Sequence, residues 1–222
     1  MRATAIVPVK RFGAAKQRLS DALGPAARAR LASAMLTDVL AALAECPSIE
    51  RTLVVSSEPS LGPIAAAAGA ELLDDGDDRG HSEAARAGVA VATESGAEAV
   101  ALLPGDCPLL EPAELERALA GLEQGAVQVI ADRHGTGTNG LLISPPQAIG
   151  PAFGPGSCER HLRLAAEAGL TASLAAVPSM ALDLDTGDDL GVLADRLAAA
   201  TGRAPASAAA LADLRDAGQV PS

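Results

Sequence analysis

Hydrophobic and polar positions change period repeatedly along this chain. Short apolar, β-branched runs alternate with stretches whose apolar residues recur every three or four positions. Ala5, Ile6, Val7, Pro8 and Val9 form the first run and predict a buried strand. Leu31, Met35, Val39 and Leu43 then recur at helical spacing, with Leu36 and Leu40 widening the stripe. Apolar runs at 52–56, 70–73, 99–103, 127–131, 141–143, 172–177 and 181–184 predict further strands. Helices are predicted over 60–68, 82–94, 112–125 and 157–168, and after Thr186. Ser82, Pro112 and Thr186 read as helix starts, and Gly169 as a stop. Such alternation predicts an α/β fold with a mostly parallel sheet covered by helices. The boundaries expected are one domain over 1–201 and an Ala-, Pro- and Ser-rich tail over 202–222.

Composition narrows the class. The 222 residues suit one domain with a real core. With aromatic residues at 1%, that core must rest on Leu, Val, Ile and Ala. A formal net charge of -11, with no aromatic-basic interleaving, argues against nucleic acid as partner. No apolar run reaches the length of a membrane span, and Lys10 and Arg11 interrupt the N-terminal run too early for a signal peptide. A cytoplasmic protein is expected, and a homodimer is the common oligomeric state to expect. Cys46, Cys107 and Cys158 form no C-x-x-C pair, so neither zinc nor a disulfide framework is indicated. Cys158 and His161 read as two residues on one helical turn rather than a thiolate pair.

Four segments could carry chemistry. Lys10, Arg11, Lys16 and Arg18 follow the first strand, at the sheet edge where open α/β folds bind ligands. The loop has neither G-x-x-x-x-G-K-[ST] nor G-x-G-x-x-G, so the cationic side chains themselves would meet phosphates. Solvated surface charge explains the same loop, and the residues alone leave both readings open. Asp106 follows the most apolar strand in Leu103-Pro104-Gly105-Asp106-Cys107-Pro108, placed to hold a hard divalent cation or to close a turn. Asp183 and Asp185 are two apart and on a strand would share a face, within reach of one cation. Asp188 and Asp189 are accounted for by the N-terminus of the following helix. Finally, Thr136 and Thr138 in a Gly-rich loop, and Ser157 at a helix start, could form a phosphate or carboxylate cradle.

In order along the chain stand Pro8-Val9-Lys10, Ala15-Lys16-Gln17-Arg18-Leu19, Asp106-Cys107-Pro108-Leu109, Gly135-Thr136-Gly137-Thr138-Asn139, Phe153-Gly154-Pro155-Gly156-Ser157 and Asp183-Leu184-Asp185-Thr186. This ordered set resembles the guanylyltransferases of coenzyme F-420 synthesis, which act on phosphoenolpyruvate or 2-phospho-L-lactate. The resemblance implies a three-layer α/β/α nucleotidyltransferase fold, like the glycosyltransferase-A fold, with a mostly parallel mixed sheet. It implies attack by a phosphate oxygen of the acid on the α-phosphorus of GTP, releasing diphosphate. By resemblance, Lys10 and Lys16 meet the GTP phosphates, and Asp106, Asp183 and Asp185 hold Mg2+. Thr138, Gly154 and Ser157 hold the acid. A phosphate nucleophile needs no general base, so His81, His134 and His161 need no catalytic role. Where the family often shows Gly-Leu-Asn-x-Ala, this chain has Gly80-His81-Ser82-Glu83-Ala84, a shorter hydroxyl in place of an amide. The GC-rich style of the composition inclines the reading towards phosphoenolpyruvate. Rival readings are a sugar-1-phosphate nucleotidyltransferase and a non-catalytic nucleotide-binding regulatory module.

Overall fold

The computed structural model describes residues 2–11, 19–20, 23–76, 80–184, 186–200 and 202–218. Lys16, Arg18 and Asp185, three of the sequence candidates, lie outside the described residues.

Among the described residues seven strands form one mixed sheet. They are β1 (Ala3–Pro8), β2 (Ile49–Val55), β3 (Glu71–Leu73), β4 (Ala99–Leu102), β5 (Ala126–Ala131), β6 (Thr138–Ser144) and β7 (Thr171–Leu174). Their order is β3-β2-β1-β4-β6-β5-β7. β1 runs parallel to β2 and β4, while β6 runs antiparallel to both β4 and β5. The reversal matters for function. With Leu102 paired to Leu141 and Val100 to Ile143, the start of β6 lies at the sheet edge where β4 ends. Thr138 and the loop carrying Asp106 therefore emerge on the same side as Lys10.

The helices are α1 (Pro25–Ala44), α2 (Gly62–Ala67), α3 (His81–Glu94), α4 (Pro112–Ala120), α5 (Ser157–Glu167), α6 (Gly187–Ala199) and α7 (Pro205–Asp216). Period-two alternation in β1 splits its side chains between two layers. Ala5 and Val7 pack with Leu36, Leu40 and Leu43 of α1 and Leu115 of α4. Ile6 packs on the other face with Ala85 and Val89 of α3, in a cluster that includes Ala165 of α5. The α3 helix lies so close to β1 and β2 that a Cβ at Gly88 would overlap Ile6 Cγ2 and sit 3.2 Å from Val55 Cγ2.

A third cluster lies beside the sheet. Leu31 and Met35 of α1 meet Leu190 and Leu193 of α6 and Leu211 and Leu214 of α7. The Ala- and Pro-rich end of the chain thus carries a helix with a buried leucine face. The residue before α7, Ala204, brings no capping side chain. Asp38 of α1 supplies the cap, accepting from Ser207 N at 2.7 Å, Ser207 Oγ at 2.6 Å and Ala206 N at 3.1 Å.

Three local expectations change. The 181–184 segment is not a strand. A 3-10 turn at Pro178–Met180 precedes it, and its buried Leu182 and Leu184 join the cluster of α1, α6 and α7 instead of a sheet. The alternation was real, but helices rather than a neighbouring strand receive the leucines. The fourth helix ends at Ala120 with Gly121 as its C-cap, short of 125. Gly80, not Ser82, is the N-cap of α3. Thr186 does begin α6, where its backbone N–H donates to Asp189 Oδ2 at 2.7 Å and Asp189 N–H returns a bond to Thr186 O.

Candidate active site

Loops at one sheet edge build the site. Val9 N–H donates to Val55 O and Leu103 N–H to Ile6 O, which carries the sheet bonding up to the loops after β1 and β4. Gly105 keeps the Asp106 turn against β1, since a Cβ there would meet Val9 Cγ2 at 3.3 Å and Leu36 Cδ1 at 3.2 Å. Lys10 is exposed at this edge and lines a shallow cleft with Pro8, Val9, Asp75, Gly80, His81 and Ala84. One carboxylate oxygen of Asp75 is buried there without a hydrogen-bond partner among the described residues. Arg11 turns elsewhere, its Nε donating to Ser57 Oγ at 2.7 Å in the loop after β2.

The acidic side is tied together through Met180. Its carbonyl accepts from Asn139 Nδ2 at 2.7 Å and from the Cys107 thiol at 3.6 Å. Cys107 follows Asp106, and Asn139 follows Thr138. Asn139 Nδ2 also stands 3.4 Å from Asp183 Oδ1. One carbonyl and one buried amide thereby gather the Asp106 turn, the start of β6 and Asp183. Asp183 reaches this place from an irregular segment, so the argument from a shared strand face does not apply. Among the described residues no three His, Cys, Asp or Glu side chains form a ready metal cage. Two hard carboxylates are nevertheless the protein's usual share of a magnesium site completed by substrate phosphates and water. The donor set fits the ion.

A cation stands on the same side. Arg133 Nη1 donates to Asp189 Oδ1 at 2.5 Å, and Asp189 is buried at 1% exposure. The Asp189 hydrogen bond, with smaller help from Asp183 and Asp132, holds the Arg133 guanidinium charged beyond its ordinary range. Asp189 therefore does more than serve its own helix: it ties α6 to the loop between β5 and β6. That loop is shaped by Asp132 Oδ1, which accepts from His134 N at 3.1 Å and Thr136 N at 3.0 Å.

The segments expected to form an acid cradle are brought together. Cys158 N–H donates to Thr136 O at 3.1 Å and Ser157 N–H to Gly154 O at 3.1 Å, joining the β5–β6 loop, the 153–157 loop and α5. Gly154 (φ 116°) and Gly156 (φ 68°) occupy backbone conformations that a side chain would strain. Arg160 clamps the loop from below, donating to Ala152 O and Pro155 O at 2.7 Å each. Phe153 N–H donates to Ser82 Oγ at 3.1 Å, so Ser82 is bonded to the 153–157 loop. His161, fully buried, contacts Thr138 Oγ1 at 3.0 Å and Ala152 N at 2.9 Å. Both its nitrogens are engaged, and Cys158 makes no pair with it. Burial, then the charge of Asp132, pushes the Cys158 thiol up.

Asp106, Asp183, Thr138, Gly154 and Ser157 are thus joined by a continuous bonded framework, and Lys10 stands at the same edge. Sequence reasoning assigned no role to Arg133, Asn139, His161 or Asp75. Asn139 stood there as the last residue of a quoted motif, and His161 as a histidine with no catalytic role to fill.

A mixed sheet with one reversed strand and helices on both faces describes an α/β nucleotidyltransferase fold. Solved structures agree on the fold. A Desulfovibrio desulfuricans protein classed with the nucleotide-diphospho-sugar transferases superposes with a TM-score of 0.76 at 17% identity, covering all of both chains. A nucleotidyl transferase from Methanothermobacter superposes at 0.62 and 17% identity, over 88% of this chain and 97% of that one.

The sequence places it further. Residues 3–195 match the family described as guanylyl transferase CofC like. The phosphoenolpyruvate guanylyltransferase of Conexibacter woesei is 45% identical over 207 residues, covering 92% of each chain. The chain belongs to the CofC-like guanylyl transferase family.

Proposed function

We propose that this protein transfers GMP from GTP to phosphoenolpyruvate or 2-phospho-L-lactate, releasing diphosphate, in coenzyme F-420 biosynthesis. The observation that carries the reading is the bonded cradle of Thr138, Gly154 and Ser157 beside Asp106 and Asp183, in a chain of this family. Lys10, together with Lys16, meets the triphosphate. The buried oxygen of Asp75 beside Lys10, without a partner among the described residues, suits guanine, whose N1–H and 2-amino group both donate. Thr138 and Ser157 hold the acid through their hydroxyls, with Gly154 letting its backbone approach closely.

The nucleophile is already an anion, so the chain's task is to align two polyanions. Lys10 and the Arg133 guanidinium offset their repulsion, and the cradle points the acid's phosphate at the α-phosphorus. Bond formation there expels diphosphate, whose charge the lysines stabilise. Mg2+, held by Asp106, Asp183 and Asp185, supplies further charge neutralisation on the phosphates when bound. A coupled assay of diphosphate release tests the reading. Release from GTP should appear only when one of these acids is added, and acid-independent or absent release would overturn it.

A further inference from the structure

Two ends of one buried ring decide which way a substrate-facing hydroxyl points. His161 is 0% exposed and both of its nitrogens are bonded within the protein. Ala152 contributes a backbone N–H, which can only donate, so Nε2 must be the bare acceptor nitrogen. A neutral imidazole then carries its hydrogen on Nδ1, 3.0 Å from Thr138 Oγ1. The Thr138 oxygen accepts that hydrogen, which leaves its own O–H free to donate.

We propose that His161 is a positioning residue that fixes Thr138 as a hydrogen-bond donor towards an oxyanion of the acid substrate. The proposal rests on the assignment of Thr138 to the acid. With the other tautomer, Nε2–H would face Ala152 N–H, and Thr138 would spend its hydrogen on Nδ1. Its lone pairs would then face the incoming anion and repel it. The ring cannot rotate to escape this choice. Phe153 meets it edge-on at 5.3 Å, and His81 braces the far side of Phe153 at 4.8 Å. Arg160 holds the carbonyl of Ala152, so the deciding N–H stays in place. Burial, reinforced by the Arg160 charge, lowers the His161 pKa from 6.5 to about 4 and keeps the ring neutral. A substrate group that itself carries a hydrogen at this point finds a donor already there, so the device selects a deprotonated carboxylate or phosphate oxygen.

Two amide substitutions separate the two ends of the ring. His161→Gln puts an acceptor where Nε2 was and nothing where Nδ1 was. His161→Asn puts an amide N–H where Nδ1 was. In steady-state kinetics at saturating GTP, His161→Gln should raise KM for phosphoenolpyruvate about tenfold, the scale of one hydrogen bond to a charged group. KM for GTP should not move, and His161→Asn should recover most of the loss. In a Thr138→Ala background, His161→Gln should add nothing. Equal losses in both variants, a matching shift in KM for GTP, or full additivity with Thr138→Ala would overturn the proposal. Nitrogen NMR of the 15N-labelled wild type needs neither variants nor turnover. A proton on Nδ1 supports the proposal and a proton on Nε2 overturns it. Wild-type protein inactive on GTP and every acid, yet protonated at Nδ1, would count against the activity and the role of Thr138 while leaving the ring geometry standing.

Discussion

Asn139→Ala removes the amide that gathers the acidic half of the site, and its two consequences differ in size. Asn139 is 7% exposed and donates to Met180 O at 2.7 Å, with Asp183 Oδ1 at 3.4 Å. Deleting the donor forfeits one good buried hydrogen bond and leaves the Met180 carbonyl with the weak Cys107 thiol contact at 3.6 Å. The first loss is worth about 1 kcal/mol, and partial stranding of the carbonyl brings the total to about 1–2 kcal/mol. For a domain of this size that lowers Tm by about 2–8 °C. Function should suffer more, because the 180–184 segment carries Asp183 and has no strand neighbour to hold it. The Mg2+ concentration for half-maximal diphosphate release should rise about tenfold, as expected when a group that orients a ligand is removed. Differential scanning calorimetry and a magnesium titration of the coupled assay measure the two effects on one sample. A fall in Tm of the expected size with an unchanged magnesium dependence would refute the claim that Asn139 positions Asp183.

Four further outcomes follow from the same contacts. Asp106→Asn should cut kcat about a hundredfold or more, since on the proposed function it removes a carboxylate charge that holds the metal; undiminished turnover contradicts it. Asp75→Asn should raise KM for GTP about tenfold and leave KM for the acid unchanged, because an amide cannot accept from both guanine donors; the reverse pattern places the base elsewhere. Gly88→Ala should cost about 1–3 kcal/mol in urea denaturation, because the new methyl overlaps Ile6; a neutral result would mean α3 lies further from the sheet. His161 takes up its proton in the unfolded chain near pH 6.5 and in the folded chain only near 4, so its stabilisation is full above pH 6.5 and is lost as pH falls towards 4. The stability advantage of wild type over His161→Gln should therefore shrink by about 3 kcal/mol between pH 7 and pH 4, and parallel pH profiles for the two proteins would sink the assignment.

What could be read from the chain, and what could not, follows from how local each signal is. The long apolar stripe of α1 and the β-branched run of β1 declare themselves, because their partners need only be some apolar layer. Pro112 at the start of α4, the Gly169 stop after α5 and Thr186 before α6 are local features and appear where local chemistry puts them. Leu182 and Leu184 alternate as strand residues do, yet periodicity cannot say whether a sheet or a pair of helices receives them. A helix is possible at the Ala-rich end from its residues, but its packing is concealed for a similar reason. Its cap comes from Asp38, which lies far away in sequence.

The same distinction applies to the site. Asp106, Thr138 and Ser157 stand at element ends, where position alone suggests a ligand. Asn139, Arg133 and His161 act through partners many residues away: Asp183, Asp189 and Ala152 with Thr138. His161 in particular looks idle as a lone histidine on a helix. Its role becomes visible only when both ring nitrogens are seen to be occupied by groups of known polarity.

The central claim is that GTP and a three-carbon phosphorylated acid meet in this site. Mass spectrometry of the products formed by the purified chain with GTP and Mg2+ tests it most directly. Phosphoenolpyruvate, 2-phospho-L-lactate and 3-phosphoglycerate would be offered separately, beside a sugar 1-phosphate. The account predicts a diphospho-5'-guanosine ester of phosphoenolpyruvate or 2-phospho-L-lactate, with one diphosphate per ester. A guanosine-diphospho-sugar as the sole product, or GTP left intact with every acid, would contradict it.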